Sequence, residues 1–165
     1  MRDRRKREVL FMAGTADITI QKMTMEDYGQ MYRMWQEIKG FRLRSMDDSR
    51  EGVERFLKRN PETSVVAVHQ GRIVGDVLCG HDGRQGSFYH VCVSPDYRHR
   101  GIGTAMVEHA MEALKKEGIS RITLIAFKSN RGGNEFWKGI GWRLRSDVNY
   151  YEAILDDNNQ VECIA

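Results

Sequence analysis

Apolar and polar positions alternate over residues 17–21 (Asp17-Ile18-Thr19-Ile20-Gln21), which predicts a first strand. The period then lengthens. Thr24 with Asp27 at capping-box spacing opens a helix, Met31, Met34, Trp35 and Ile38 mark its inward face, and Gly40 stops it. A second helix is predicted from about Asp48 to Asn60, with Val53, Phe56 and Leu57 inward and Pro61 at its end. Three meandering strands follow: residues 65–68, then 73–78 after the Gln70-Gly71 turn, then 88–93 after the Asp82-Gly83 turn. Pro95 closes the third. Met106, Ala110 and Leu114 form one stripe of a helix from about Gly103 to Glu117, and Gly118 ends it. Residues 121–127 read as a buried strand, 135–138 as a short helix, and 142–155 as one or two last strands.

The order β-α-α-β-β-β-α-β-α-β predicts a mixed α/β (α+β) domain, with an antiparallel meander feeding one right-handed crossover. A chain of 165 residues, 41% hydrophobic and 30% charged, fits one globular domain, assigned to residues 16–165. The net charge of +3 is not spread over it. Residues 2–8 carry five basic and two acidic side chains, and the remaining 21 basic and 21 acidic residues cancel. Residues 1–15 therefore read as a flexible basic tail, with no strand or helix pattern before about Asp17. A nucleic-acid partner is not expected, because the folded part has no basic excess. No apolar run approaches membrane length. Cys79, Cys92 and Cys163 are odd in number and widely spaced, which argues against disulfides and a metal site and for a cytoplasmic protein.

The chemistry concentrates where the strand Val91-Cys92-Val93 passes through a loop into a helix. Glycines there let backbone N–H groups approach an anion, the helix start adds positive potential, and Arg98 and Arg100 add charge. The same pattern also serves a tight strand-to-helix turn. A dinucleotide fold would put its glycines after the first strand and add a third, and a phosphate-binding Walker loop would need Gly-Lys-Ser/Thr. The run Arg98-His99-Arg100-Gly101-Ile102-Gly103 resembles the central Arg/Gln-x-x-Gly-x-Gly/Ala motif of the GNAT superfamily of N-acetyltransferases. Val91-Cys92-Val93-Ser94-Pro95 resembles the strand end before it. Asn130 and Phe136-Trp137-Lys138-Gly139-Ile140-Gly141-Trp142 resemble the family's downstream pattern.

The resemblance spans about residues 16–155. It implies a mostly antiparallel central sheet with helices on both faces and a V-shaped splay between the fourth and fifth predicted strands. It further implies acetyl-CoA as co-substrate. The main chain of Val91, Cys92 and Val93 would meet the pantetheine. Residues Arg98, His99, Arg100, Gly101, Ile102, Gly103 and Thr104 would hold the pyrophosphate, and Asn130 would touch the amide arm. The activity implied is transfer of an acetyl group to a primary amine of a small molecule or peptide, in a ternary complex and with no metal. The reading leaves room for a homodimer.

Two catalytic positions of the family are empty of their usual residues. The tyrosine acid, seven residues after the motif Asn, is Trp137 here, and indole gives up no proton near neutral pH. The glutamate base, five residues before it, is Ile125. Trp137 suits a wall of the thioester pocket or plain core packing. His90 and Tyr151 are the candidates for handling the proton. Alternation puts His90 opposite Tyr89 and Val91 unless a bulge intervenes, and an imidazole suits a base. Tyr151 lies on the predicted final strand. In residues 40–48, Arg42 and Arg44 suit an anionic acceptor group and Asp47 and Asp48 a second amine, or the charges pair with one another. Loss of both family catalytic residues also allows a non-catalytic acyl-CoA-binding sensor on the same fold.

Overall fold

The computed structural model describes residues 9–10 and 17–165. Its main sheet contains β1 (Val9–Leu10), β2 (Ile18–Lys22), β4 (Val65–His69), β5 (Arg72–His81), β6 (Gly86–Val93) and β7 (Ile122–Leu124), in that spatial order. All neighbours are antiparallel except β6 and β7, which run parallel across the crossover helix α3 (Ile102–Lys116). Helices α1 (Tyr28–Glu37) and α2 (Arg50–Arg59) lie on one face, and α3 packs on the other. A short helix α4 (Arg131–Gly139) follows β7, and β3 (Arg42–Arg44) pairs with β8 (Val161–Cys163) in a separate two-stranded ribbon.

Alternation in the strands builds two cores. Val65 and Ala67 of β4 face α3, while Val66 and Val68 face α1 and α2. Met31, Met34 and Trp35 of α1 and Val53 and Leu57 of α2 fill the second core from above. Met106, Val107, Ala110 and Leu114 of α3 fill the first. The Trp35 indole is fully buried, and its Nε1 donates to Asp76 Oδ2 of β5 at 2.6 Å. Cys92 Sγ of β6 donates to Asp76 Oδ1 at 3.0 Å. A fully buried carboxylate is thus held by two donors, one from the helix above and one from the next strand.

The predicted elements differ from this fold in four places. Residues 142–155 form no strand. Leu144, Val148, Tyr150 and Tyr151 face solvent, and the segment is tied instead by side chains such as Arg44 to Glu152 at 2.8 Å. β3 pairs with Val161–Cys163, and the outer edge of β7 carries no strand among the described residues, so residues 142–155 join neither sheet. The strand at 121–127 is cut to three residues. Ile125 and Phe127 beyond it are 61% and 51% exposed, because the ladder with β6 ends at Phe88–Leu124. The joint at 40–48 contains β3, which its charges disguised. Finally, Val9–Leu10 pair with Ile20 and Thr19, so strand pairing begins before Asp17. The rest of the tail assignment lies outside the described residues.

Two outcomes follow from this packing. A Cβ on Gly52 would overlap the carbonyl oxygens of Met46 and Asp47, in the turn just before α2. Gly52→Ala should therefore lower unfolding stability by about 1–3 kcal/mol, measured by denaturant titration. Burial pushes the Asp76 carboxyl up to about 6, against the opposing pull of the Cys92 thiol, His90 and the Trp35 N–H. A carboxyl raised on folding contributes stability that is complete below its unfolded value and is lost as pH rises through the folded one. The difference in melting temperature between wild type and Asp76→Asn should thus shift toward the variant between about pH 4 and pH 6. A difference that stays flat over that window would rule the assignment out.

Candidate active site

Strand β6 gains one residue on its partner. Leu78 pairs with His90 but Cys79 pairs with Phe88, which leaves Tyr89 as the bulged residue. The bulge resets the alternation. Phe88 faces the α3 core, whereas Tyr89 meets Phe56 at 5.2 Å and His90 meets Trp35 and Phe41, all on the α1–α2 side. The expectation that His90 opposes Tyr89 is therefore corrected by the bulge, while Val91 does lie on the opposite face. At the same point β6 parts from β7. Their ladder covers Gly86–Ile122, Ser87–Thr123 and Phe88–Leu124, and no pairing continues beyond it. This is the splay between the two strands that the resemblance implies.

Ladder parity decides which backbone groups face the gap. Ser94 N donates to Val74 O at 2.8 Å, so the alternate residues Cys92 and His90 also turn their amides toward β5. Val91 and Val93 turn theirs the other way, toward the parted edge. The Val93 carbonyl accepts from Arg98 Nε at 3.1 Å, which leaves the Val93 N–H facing the gap. Cys92 is not brought to it. Its amide faces β5, its thiol bonds Asp76, and burial holds that thiol well above the usual cysteine range, so it is no thiolate nucleophile.

The chain leaves β6 through a 3-10 turn at Pro95–Tyr97 and enters α3 at Ile102. His99 and Gly101 take left-handed conformations, φ 59° and 78°, which a tight reversal onto a helix start requires. Gly101 O accepts from Ala105 N at 3.0 Å, and no side chain caps the helix. The N–H groups of Ile102, Gly103 and Thr104 therefore have no intrahelical acceptor and point out of the helix start. The Ile102 side chain itself is buried. Arg100 donates to Asp96 O at 2.9 Å and lies over the Tyr97 ring, so Arg98 and Arg100 both fold back on their own loop.

Asn130 is the N-cap of α4, and its Oδ1 accepts from Gly133 N at 2.9 Å. Trp137 stacks with Phe88 and tilts against Trp142, a cluster that continues the α3 core at the foot of the gap. Tyr151 is 86% exposed in the strandless segment, and the structure does not bring it to a defined position beside β6.

His90 stands differently. Its Nε2 lies 2.6 Å from Asp48 Oδ1, and its ring packs between Trp35 and Phe41 at 5.0 and 4.8 Å. Asp48 Oδ2 accepts from Arg44 N at 2.6 Å, and the Asp48 carbonyl accepts from the Tyr28 hydroxyl. A cavity of about 240 Å³, lined by Tyr28, Tyr32, Arg44, Asp48, Arg50 and Glu162 among others, adjoins this carboxylate. The charges of residues 42–48 find partners outside the segment rather than one another: Arg44 in Glu152, Asp47 in Asn159, and Arg42 in the Phe127 ring at 3.8 Å. Sequence reading missed two groups. Asp76 was the sole charge in an apolar strand run, a usable signal. The Asp48–His90 contact joins residues 42 positions apart and left none.

Residues 25–142 match the acetyltransferase (GNAT) family. An acetyltransferase of Sodalis glossinidius (strain morsitans) is 32% identical over 123 residues, covering 74% of this chain and 85% of that protein. Among solved structures, the PaiA N-acetyltransferase from Thermoplasma acidophilum in complex with coenzyme A superposes with a TM-score of 0.67 at 17% identity, covering 78% of this chain and 91% of that one. An aminoglycoside acetyltransferase from an uncultured soil metagenomic sample, in complex with trehalose, superposes with a TM-score of 0.65 at 18% identity, covering 86% and 99%. The parted strands and the uncapped helix start sit within the matched span, and on that span the chain belongs to the acetyltransferase (GNAT) family and is an acyltransferase.

Proposed function

We propose that this acyltransferase moves an acetyl group from acetyl-CoA to a primary amine of a small molecule or peptide, by direct attack in a ternary complex. The observation that carries the reading is a juxtaposition. The gap between β6 and β7, edged by the main chain of Val91 and Val93, opens beside the uncapped N–H groups of Ile102, Gly103 and Thr104. A pantetheine amide arm adds along a strand edge with that polarity, and a pyrophosphate suits orphan amides at a helix start. Asn130 caps α4, and Trp137 packs at the foot of the gap, where it bounds the thioester end. An aminoglycoside acetyltransferase among the structural neighbours supports an amine acceptor.

The chemistry then needs three things. The amine must be neutral to attack, so a proton has to leave its nitrogen. The Val93 N–H is the donor for the oxyanion as the N–C bond forms. The C–S bond breaks to release a thiolate whose conjugate thiol has a pKa near that of cysteine, about 8.5, so it departs without an acid of its own. Between His90 and Tyr151, the position of His90 supports it as the base: it is held in place and lies one residue from Val91. The burial of the Cys92 thiol and its bond to Asp76 support direct transfer over a Cys92 acyl carrier.

Two measurements test this reading. Thiol release on mixing the protein with acetyl-CoA and an amine library should appear with at least one amine. Binding without release by any amine would favour an acyl-CoA sensor. Gly103→Glu puts a carboxylate among the helix-start amides, with its Cβ 3.3 Å from the Phe136 ring, and should weaken acetyl-CoA binding by the folded protein about 10-fold or more by calorimetry. Equal affinity in the two proteins would place the pyrophosphate elsewhere.

A further inference from the structure

His90 has a partner that gives it a direction. Asp48 comes from the loop before α2 and reaches the ring from the side opposite the strand. Its two oxygens do separate work: Oδ1 meets His90 Nε2 at 2.6 Å, and Oδ2 takes the Arg44 N–H at 2.6 Å. The carboxylate is therefore fixed at both ends. Its own backbone is fixed too, since Asp48 N donates to Arg44 O and its carbonyl accepts from Tyr28. Asp48 is buried and the His90 side chain is 15% exposed, so the pair is shielded from bulk water. Trp35 and Phe41 pack against the imidazole and hold its plane.

A carboxylate only accepts, so Nε2 carries a proton and donates it. In the neutral ring the lone pair is then on Nδ1. Among the described residues Nδ1 has no hydrogen-bond partner, and no fully buried side-chain nitrogen or oxygen there lacks one, so Nδ1 is not completely buried and is free to accept. The other ionisable groups nearby are already engaged. Asp76 is occupied by Trp35 and Cys92, Tyr28 by the Asp48 carbonyl, and the Arg44 guanidinium by Glu152.

We infer that Asp48 is a positioning residue for the transfer. By accepting the Nε2 proton it holds the neutral His90 ring in the tautomer whose Nδ1 lone pair can take a proton. The inference rests on the reading of His90 as base. As the amine nitrogen bonds to the thioester carbon, its proton passes to Nδ1. The imidazolium so formed lies against the Asp48 carboxylate, and the proton then leaves to water or to the departing thiolate.

The test is a double-mutant cycle on kcat with acetyl-CoA and an amine that the thiol-release screen identifies. His90→Ala should lower kcat about 10²–10⁴-fold. Asp48→Ala should lower it at least about tenfold, with acetyl-CoA affinity unchanged. The double variant should be no slower than His90→Ala, because the two residues act as one unit. An Asp48→Ala enzyme with wild-type kcat, or losses that multiply in the double variant, would overturn the inference while leaving His90 as base. A His90→Ala enzyme with wild-type kcat would instead remove the base reading and the inference with it. A second measurement reads the wild-type ring directly. In the wild-type protein labelled with ¹⁵N-histidine, the neutral His90 ring, assigned by its loss in His90→Ala, should show the proton on Nε2. A proton on Nδ1 would refute the proposed role of Asp48.

Discussion

One inserted residue in β6 sets the geometry of this protein's working end. Up to Phe88 the strand is an ordinary sheet member, paired on both sides. At Tyr89 the bulge adds a residue, increases the local twist and bends the strand away from β7. Three consequences follow together. The parallel ladder ends, the main chain of Val91 and Val93 loses a strand neighbour, and His90 moves to the same face as Tyr89. A strand without the bulge would keep β7 paired further along and would turn His90 toward the α3 core.

The bent strand is held by polar contacts rather than by shape alone. Asp76 on β5 receives the Trp35 N–H from α1 and the Cys92 thiol from β6, which ties the helix above to the strand just past the bulge. Trp35 then serves a second purpose, since the same ring packs on His90. Burying a carboxylate raises its pKa and costs stability unless donors surround it. Here the donors come from the two elements whose relative position matters most to the site. The core and the site are therefore one construction: the residues that close the α1 face also orient the imidazole.

The family's usual tyrosine and glutamate positions hold Trp137 and Ile125, and the structure gives those side chains other surroundings. Trp137 joins Phe88, Phe136 and Trp142 in an aromatic cluster under the gap, and Ile125 lies exposed just past the end of β7. In the proposed mechanism, proton handling then depends on what the α1–α2 side can present. There the structure offers an Asp–His pair from two segments far apart in the chain. The thiolate leaving group makes this economical, because a departing group of modest basicity needs no proton donor of its own.

Sequence alone determined the order of elements from β2 to α4 apart from β3, the inward faces of α1, α2 and α3, and the loop Arg98–Gly103. These rest on short-range rules: the 2.0 and 3.6 periods of side-chain direction, and glycine where φ is positive or the backbone must come close. Met31, Met34 and Trp35, or Met106, Ala110 and Leu114, could be assigned to inner faces because a helix of that period has only one such stripe. Tertiary structure decided what depends on pairing partners. Whether residues 142–155 form strands depends on long-range pairing: β3 pairs with Val161–Cys163 instead, and the outer edge of β7 takes no strand among the described residues. How far β7 extends depends on the bulge in its neighbour. The position of Tyr151 follows from the first of these, and that of His90 from the bulge. The partnership of His90 with Asp48 joins two segments whose separation in the chain carries no periodic signal, so only the folded chain could bring it about.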